Sequence, residues 1–274
     1  MGVVNVTPDS FSDGGRFIEP KRAISHGLEL AAEGAAIIDI GGESTRPGAL
    51  PVEAEEELAR VEPVIEGLRT AGTEAQISVD TSKASVASKA LDVGASFVND
   101  VTALRGDPEM VELIASSHAD VCLMHMLGDP RTMQDNPRYQ DVVTEVKAFL
   151  EERLQFAVDS GVAEGRILLD PGIGFGKTAE HNLELIDRLD ELVALGRPVV
   201  IGASRKSFIG RITGRQDPDD RVTGSVAVNV LAYERGARVF RVHDVAPTHD
   251  ALAMAAATVS RRWTETTRPT SSTT

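Results

Sequence analysis

The sequence has a single cysteine, Cys122, and only 4% of its 274 residues are aromatic. One cysteine excludes an internal disulfide and a thiolate metal cluster. Cys122 lies in the apolar run 120–124, so we expect a small core residue in a protein of the reducing cytoplasm. With so few aromatic side chains, the core must be built from alanine, valine, isoleucine and leucine.

Positive charge is also scarce. The sequence has 28 lysines and arginines against 42 acidic residues, which gives a formal net charge of −14. This balance argues against nucleic acid or an anionic membrane as a partner, and an anionic ligand would need a local positive pocket. No apolar stretch approaches the roughly 20 residues of a membrane span, and the amino terminus shows no signal-peptide pattern. Residues 263–274 are mostly threonine, serine and proline and are predicted to be disordered.

Short apolar runs that end in a polar residue alternate with stretches of helical periodicity. The predicted strands are 3–5, 36–40, 76–80, 96–100, 121–125, 166–170, 199–202 and 239–243. The predicted helices are 20–33, 53–71, 83–93, 107–117, 141–160, 179–195, 223–235 and 247–262. This alternation indicates parallel strands joined by helical crossovers, that is, an α/β protein.

Eight such repeats in about 250 residues are typical of a (β/α)8 TIM barrel. A doubly wound open sheet of eight strands is the alternative. No proline-rich or charged linker divides the chain, so we predict one domain over residues 1–262.

Polar or ionisable residues stand at the carboxyl end of nearly every predicted strand. They are Asn5, Asp39, Asp80, Asn99, Asp100, His125, Asp170, Ser204, Arg241 and His243. Active sites of such barrels lie at this end, so the convergence predicts an enzyme pocket.

Two glycine-rich loops follow the first two predicted strands. In residues 5–15, turn formers and carboxylates surround a lone aromatic residue, Phe11, which suggests a ligand loop or an ordinary surface turn. In residues 41–48, Arg46 offers a two-pronged anion contact and Pro47 stiffens the turn, although a polar surface loop explains the same residues equally well.

Asp80 and Asp170 are predicted to lie on opposite sides of the barrel mouth, with Asn99 between them. Carboxylates beside a carboxamide can bind the hydrogen-bonding edge of a heterocycle. For Asp80 taken alone, capping of the following helix is the stronger interpretation.

Two segments resemble nucleotide and hydrolase motifs without matching them. Residues 170–178 lack the first glycine of a phosphate loop, because Pro171 stands there. Residues 202–206 carry Lys206 where a nucleophile elbow needs glycine. Residues 204–207 therefore offer two cations and two hydroxyls at the start of a helix, which suits anions or carbonyls.

Arg241 and His243 alternate along the last strand, so both side chains should point into the barrel. They would meet a negative ligand there or pair with Asp244 or Asp100. The histidine spacing favours no zinc site. Mg²⁺ brought in by a phosphate ligand is compatible with Asn5 and nearby aspartates.

Several motifs in one order resemble the dihydropteroate synthase family over essentially all of residues 1–262. They are residues 5–15, 41–48, 79–81, 99–101, 123–126, 170–177, 202–207 and 241–243. The resemblance implies a transferase that condenses 6-hydroxymethyl-7,8-dihydropterin diphosphate with p-aminobenzoate, assisted by Mg²⁺, with diphosphate leaving before the amine attacks. It also implies inhibition by sulfonamides and a cytoplasmic homodimer.

The resemblance further implies roles for individual residues. The pterin would contact Asp80, Asn99, Val101, Met124, Asp170, Phe175, Gly202, Lys206 and Arg241. The p-aminobenzoate pocket would contain Phe11, Thr45, Pro47, Lys206 and Ser207. The diphosphate would contact Asn5, Arg46, Arg241 and His243, with Asn5 also ligating Mg²⁺, and the catalytic group would be Asp80, Lys206, Arg241 and Asp13. A pterin-dependent methyltransferase and a pterin-binding paralogue without catalysis are the alternatives.

Overall fold

The computed structural model describes residues 1–7, 19–44 and 48–261. Its strands are β1 (Gly2–Asn5), β2 (Ile37–Gly41), β3 (Gln76–Asp80), β4 (Phe97–Asp100), β5 (Asp120–Met124), β6 (Ile167–Asp170), β7 (Val200–Ile201) and β8 (Val239–Phe240). Each coincides with a predicted strand to within a few residues.

The helices follow the predicted order, with one helix divided and one added. They are α1 (Glu19–Ala32), α2 (Ala54–Thr70), α3 (Ala84–Asp92), α4 (Met110–Ser116), α5 (Val142–Asp159), α6 (Ala179–Asp187), α7 (Asp190–Val193), α8 (Ser207–Thr213), α9 (Val222–Glu234) and α10 (Val245–Ser260). Within the described ranges, every helix is too short or too polar to cross a membrane.

The strands close into a parallel barrel. β1 to β6 pair in chain order and β7 pairs with β8. Two single bridges join these sheets, Leu169 with Val199 and Gly2 with Val242. At the second bridge the Val3 amide donates to the Val242 carbonyl at 3.0 Å. The (β/α)8 prediction is therefore confirmed, and the open-sheet alternative is wrong.

Strand alternation sorts the side chains into two cores. Residues such as Ile38, Ile40 and Leu123 point outward and are buried under helix residues such as Leu68 and Leu150. Burying a side chain of this size contributes about 1.5–3 kcal/mol. The crossover helices are held to the barrel in this way, which leaves the strand ends to form the site.

The barrel interior has an apolar floor. It consists of Phe97, Cys122 and Val200, packed with Met1, Ile37, Leu168 and Val239. Cys122 is free and buried, so its prediction as a core residue is confirmed. Above the floor the inward side chains become polar.

Two predicted helices differ in detail. The helix predicted over 179–195 is divided at Arg188, whose backbone (φ −104°, ψ 29°) ends α6. Its guanidinium binds Glu184 before the break and Glu191 after it. The helix predicted from residue 107 begins only at Met110. The carboxylate of Asp107 accepts from the Ala84 amide at the start of α3 at 2.8 Å and from the Glu109 amide at 3.0 Å.

Candidate active site

One pocket lies at the carboxyl ends of the strands. It is lined by Asp80, Asn99, Val101, Met124, Asp170, Phe175, Gly202, Lys206 and Arg241. These are the nine residues that the resemblance assigns to a pterin. A wider groove on the outer surface, between α2 and α3, exposes mainly apolar atoms and is lined by none of the strand-end residues.

A buried carboxylate, Asp39, organises the layer beneath this pocket. One of its oxygens accepts from the Ser78 hydroxyl at 2.6 Å. The other accepts from Asn99 Nδ2 at 3.2 Å and from Arg241 Nε at 2.6 Å. The sequence placed Asp39 at a strand end without giving it a role. The sequence did carry a signal, because alternate residues of a strand face the same side. Asp39 stands two positions before Gly41, the last residue of β2, and therefore faces inward as that position does.

The guanidinium of Arg241 also binds Asp80, from Nη2 to Oδ2 at 2.7 Å. For Arg241, the alternative of pairing with Asp244 or Asp100 is therefore wrong. Burial alone would lower the pKa of Arg241, but the charges of Asp39 and Asp80 outweigh burial and raise it. Arg241 is thus a fixed cation between two carboxylates at the pocket wall.

Burial in the pocket moves the other ionisable groups toward neutrality. It raises the pKa of Asp80 to about 7, although Arg241 opposes the shift. Burial likewise lowers the pKa of Lys206 to about 7, against the attraction of Asp170. The pKa of Asp170 is also raised by burial. Such shifts cluster where proteins bind or react with ligands.

Asp80 does not cap a helix. The first residue of α3 is Ala84, whose amide is bound by Asp107, and the Lys83 amide donates to the Thr81 hydroxyl at 3.2 Å. The carboxylate of Asp80 is turned to Arg241 instead. The capping interpretation is therefore wrong for this residue.

Lys206 is held against an aromatic wall. Its ammonium nitrogen lies 4.2 Å from the centre of the Phe175 ring and donates to the Ile173 carbonyl. A lysine over a ring face is an attractive cation–π arrangement, worth more when water is excluded. Ser207 follows as the first residue of α8.

The loop after β6 is tightly folded by three left-handed glycines. Gly172, Gly174 and Gly176 have φ values of 67°, 83° and 65°. A side chain at Gly172 would collide with the His125 carbonyl, which would lie 1.9 Å from its Cβ. The glycines that resembled a phosphate loop therefore let this loop pack against the end of β5.

Asn5 lies at the end of β1, on the rim next to Asp80. A methyl group built on Gly41 would be 3.9 Å from Asn5 Oδ1 and 3.7 Å from Asp80 Oδ2. His243 lies on the same rim, where its Nδ1 is 3.0 Å from the Ser204 hydroxyl. Asn5 and His243 therefore lie at the rim of the pocket.

Two of the predicted strand-end residues turn away from the pocket. Asp100 accepts from the amides of Thr102 and Leu104 at 2.8 and 2.7 Å and folds the loop after β4. His125 packs edge-on against Phe149, with ring centres 4.9 Å apart. Neither belongs to the pocket lining.

Arg205, one of the two cations in 204–207, also faces elsewhere. It binds Asp244 at 2.6 and 2.9 Å and makes a further ion pair with Asp219. Its positive φ of 58° turns its side chain away from the direction taken by Lys206. Only Lys206 of this pair lines the pocket.

A charge cluster fixes the base of the loop after β2. Lys83 binds Glu43 and the fully buried Glu57, each at 2.5 Å. Glu43 also accepts from the Val52 amide at 3.0 Å, which ties the start of this loop to its end. Sequence reasoning missed this cluster, because its three members come from three separate segments.

Five residues assigned by the resemblance lie outside the described residues, and their roles stay predictions. They are Phe11, Asp13, Thr45, Arg46 and Pro47. The predicted disordered tail lies outside the described residues as well.

Comparisons with known proteins agree with this geometry. Residues 1–243 match the family model described as pterin binding enzyme. The chain is 51% identical over 256 residues to dihydropteroate synthase from Neisseria meningitidis serogroup C, covering 92% of this chain and 89% of that protein.

Solved structures give the same result. The chain is similar to Xanthomonas albilineans dihydropteroate synthase with 4-aminobenzoic acid (TM-score 0.89, 52% identity, 95% and 92% of the two chains). It is also similar to the same enzyme in complex with 7,8-dihydropteroate (0.86, 48%, 95% and 93%). A third similar structure is the Yersinia pestis enzyme in a sulfonamide drug complex (0.89, 45%, 95% and 94%).

Proposed function

The chain belongs to the dihydropteroate synthases, within the pterin-binding enzyme family, and on that premise we propose how its pocket performs the synthesis. The reaction joins p-aminobenzoate to 6-hydroxymethyl-7,8-dihydropterin diphosphate and releases diphosphate. One observation carries the proposal. The carboxylates of Asp80 and Asp170, the amide of Asn99 and the amine of Lys206 line one narrow pocket with the Phe175 ring.

The pterin ring presents N–H donors and a carbonyl acceptor along its edges. Asp170 and Asp80 accept from the donors, and Lys206 donates to an acceptor. Asp170 is held in place because its Oδ1 already accepts from the Gly172 amide at 2.6 Å. Met124 and Phe175 cover the apolar faces of the ring.

The first chemical step breaks the bond between the pterin methylene carbon and the diphosphate oxygen, and the electron pair leaves with diphosphate. Arg241 and His243 stabilise the departing charge, and Asp80 stabilises the positive charge that develops on the methylene. The amine nitrogen of p-aminobenzoate then bonds to that carbon and loses a proton to water. No side chain is needed as a general base, since the aryl amine is neutral and nucleophilic.

We propose Mg²⁺ as the cofactor, with Asn5 as a protein ligand. Among the described residues, no group of three or more histidines, cysteines or carboxylates could hold a metal. Mg²⁺ commonly takes few protein ligands and fills its shell with substrate phosphate and water oxygens, which fits one amide oxygen at the pocket rim. When bound, the ion would neutralise diphosphate charge.

The p-aminobenzoate site is assigned to Lys206 and Ser207, together with Phe11, Thr45 and Pro47 outside the described residues. Lys206 thereby stands between the two substrates and attracts the benzoate charge that the acidic surface repels. Sulfonamides, which carry the same aryl amine, are expected to compete there.

We further propose a cytoplasmic homodimer formed through α9 and α10. These helices pack on each other and expose Leu231 (45%), Met254 (68%) and Val259 (62%). Exposed apolar side chains on adjacent helices suit an interface. Sedimentation of wild type and Met254→Glu tests this, and a wild-type monomer would contradict it.

The activity is tested by measuring how much labelled p-aminobenzoate is incorporated into dihydropteroate, together with the diphosphate that is released. Asp170→Asn, which keeps the size of the side chain, should fold and lose most of this activity. Methyl transfer from a methylated pterin, without incorporation, would support the methyltransferase alternative. Pterin binding with neither reaction would support the non-catalytic paralogue.

A further inference from the structure

A buried lysine outside the pocket lining, Lys177, has no ion pair among the residues that the structure describes. Its Nζ donates to the Phe175 carbonyl at 3.0 Å and lies 2.9 Å from His125 Nδ1. Both groups are neutral acceptors in this arrangement. A lysine buried in this way is costly, so its hydrogen bonds need an explanation.

The direction of the hydrogen bond between Lys177 and His125 follows from charge. Burial and the neighbouring Lys177 lower the pKa of His125 to about 2, and burial lowers the pKa of Lys177 well below its ordinary value. The imidazole is therefore neutral. Since Nζ also donates to the Phe175 carbonyl, we assign Nδ1 as the acceptor of the amine and place the ring proton on Nε2.

The imidazole is a rigid acceptor. His125 follows directly after β5, and its backbone amide donates to the Asp170 carbonyl at 3.0 Å. Its ring is fixed edge-on against Phe149 of α5. Lys177 is thus anchored to the barrel and, through its second hydrogen bond, fixes the backbone of Phe175.

The neighbouring loop carbonyls are held by different donors. Gln134 Nε2 binds the Gly174 carbonyl at 2.6 Å, and the Tyr139 hydroxyl binds the Gly176 carbonyl at 2.9 Å. Of these three contacts, the one from Lys177 binds the carbonyl of Phe175 itself. With this carbonyl directed to Lys177, the Phe175 ring lies in the pocket, 4.2 Å from Lys206 Nζ.

We propose that Lys177 and His125 form a positioning pair that fixes the Phe175 ring as the wall supporting both Lys206 and the bound pterin. The pair does not touch the substrate. Its role in pterin recognition rests on the proposed function, whereas its effect on Phe175 and Lys206 exists in the free protein. The two parts can therefore be tested separately.

The variants are chosen to separate the hydrogen bond from packing. Lys177→Met keeps the length of the side chain and removes the donor. His125→Phe keeps the ring against Phe149 and removes the acceptor, whereas His125→Asn keeps an acceptor near the Nδ1 position. Tyr139→Phe is the matched control, because it removes a donor to a loop carbonyl without touching Phe175.

In the free protein, NMR of ¹³Cε-labelled lysine reports both the titration of Lys206 and the ring-current shift from Phe175. Lys177→Met and His125→Phe should reduce that shift. They should also raise the titration midpoint of Lys206 by at least one pH unit, since a displaced ring admits water. His125→Asn and Tyr139→Phe should resemble wild type. An unchanged Lys206 signal in correctly folded Lys177→Met would overturn the inference.

Calorimetry with 6-hydroxymethylpterin tests the link to recognition. Lys177→Met and His125→Phe should bind at least tenfold more weakly than wild type, and His125→Asn should recover most of the loss. Affinity within twofold of wild type in Lys177→Met, or an equal loss in Tyr139→Phe, would contradict the positioning role. If wild type itself fails to bind the pterin, the proposed function fails, and the NMR result still decides the effect on Phe175.

Discussion

Asp39 of β2 accepts a hydrogen bond at 2.6 Å from Arg241, the residue that follows β8, although 202 positions separate them in the chain. The contact forms only because the barrel closes and brings β8 beside β1, next to β2. It places a buried carboxylate beneath the guanidinium that also binds Asp80. The first prediction concerns this contact.

Asp39→Asn should lower the free energy of unfolding by about 2–4 kcal/mol, because the buried Arg241 loses one of the two carboxylates that neutralise its charge. Urea denaturation measures this. Ser78→Ala is the control, since it removes only the hydroxyl that binds Asp39 and should cost about 1 kcal/mol. Equal losses in the two variants would show that the charge of Asp39 is unimportant to Arg241.

Gly202→Ala should leave the fold intact and weaken pterin binding. Its new methyl would lie 3.8 Å from Asp170 Oδ2 and 4.0 Å from Arg241 Cβ, which are ordinary contacts, yet it would project into the pocket. We expect thermal stability within about 1 kcal/mol of wild type and a loss of at least about tenfold in affinity, or 1.4 kcal/mol. Gly165→Ala, with open space around its Cβ, is the control. Undiminished pterin affinity would show that Gly202 does not contact the ligand.

The pH dependence of stability should carry a signature of Asp80. Its pKa is about 7 in the folded protein and about 3.8 when unfolded, so the folded state holds the extra proton between these values. Stability contributed by the protonated carboxyl is therefore lost as pH rises from about 4 to 7. Asp80→Asn removes a partner of Arg241 at every pH but lacks this pH-dependent loss, so its free energy of unfolding relative to wild type should rise by up to about 4 kcal/mol across the window. Parallel stability curves for the two proteins would contradict the shift.

Lys83→Met should destabilise the protein by about 3–5 kcal/mol, because it would leave the fully buried Glu57 side chain without its ion-pair partner. Glu43, which is 21% exposed, can turn to water and should matter less. Adding Glu57→Gln to Lys83→Met should recover part of the loss, since it removes the buried charge. A double-mutant cycle by chemical denaturation measures the coupling. If the two substitutions change the free energy of unfolding additively, Lys83 and Glu57 are not coupled.

Much of the secondary structure and the position of the pocket could be predicted from residue patterns in short segments of the sequence. The alternation of apolar runs with helical periodicity determined the eight strands and the order of the helices, since the two periods, 2 and 3.6, are properties of short segments. Because the carboxyl ends of parallel strands meet on one face, a polar residue at each end predicted a common pocket. The resemblance of the sequence motifs to a known family assigned nine residues to a pterin, and the structure places all nine around one pocket.

Tertiary structure alone decided which of these polar residues face one another. Asp100 ends β4 and His125 directly follows β5, much as Asp80 and Asp170 end their strands, yet their side chains lie outside the pocket. The contacts of Arg241 with Asp39 and Asp80, of Lys83 with Glu43 and Glu57, and of Lys177 with His125 all join distant segments. Such contacts depend on strand register and barrel closure, where a shift of one residue would turn each side chain to the opposite face.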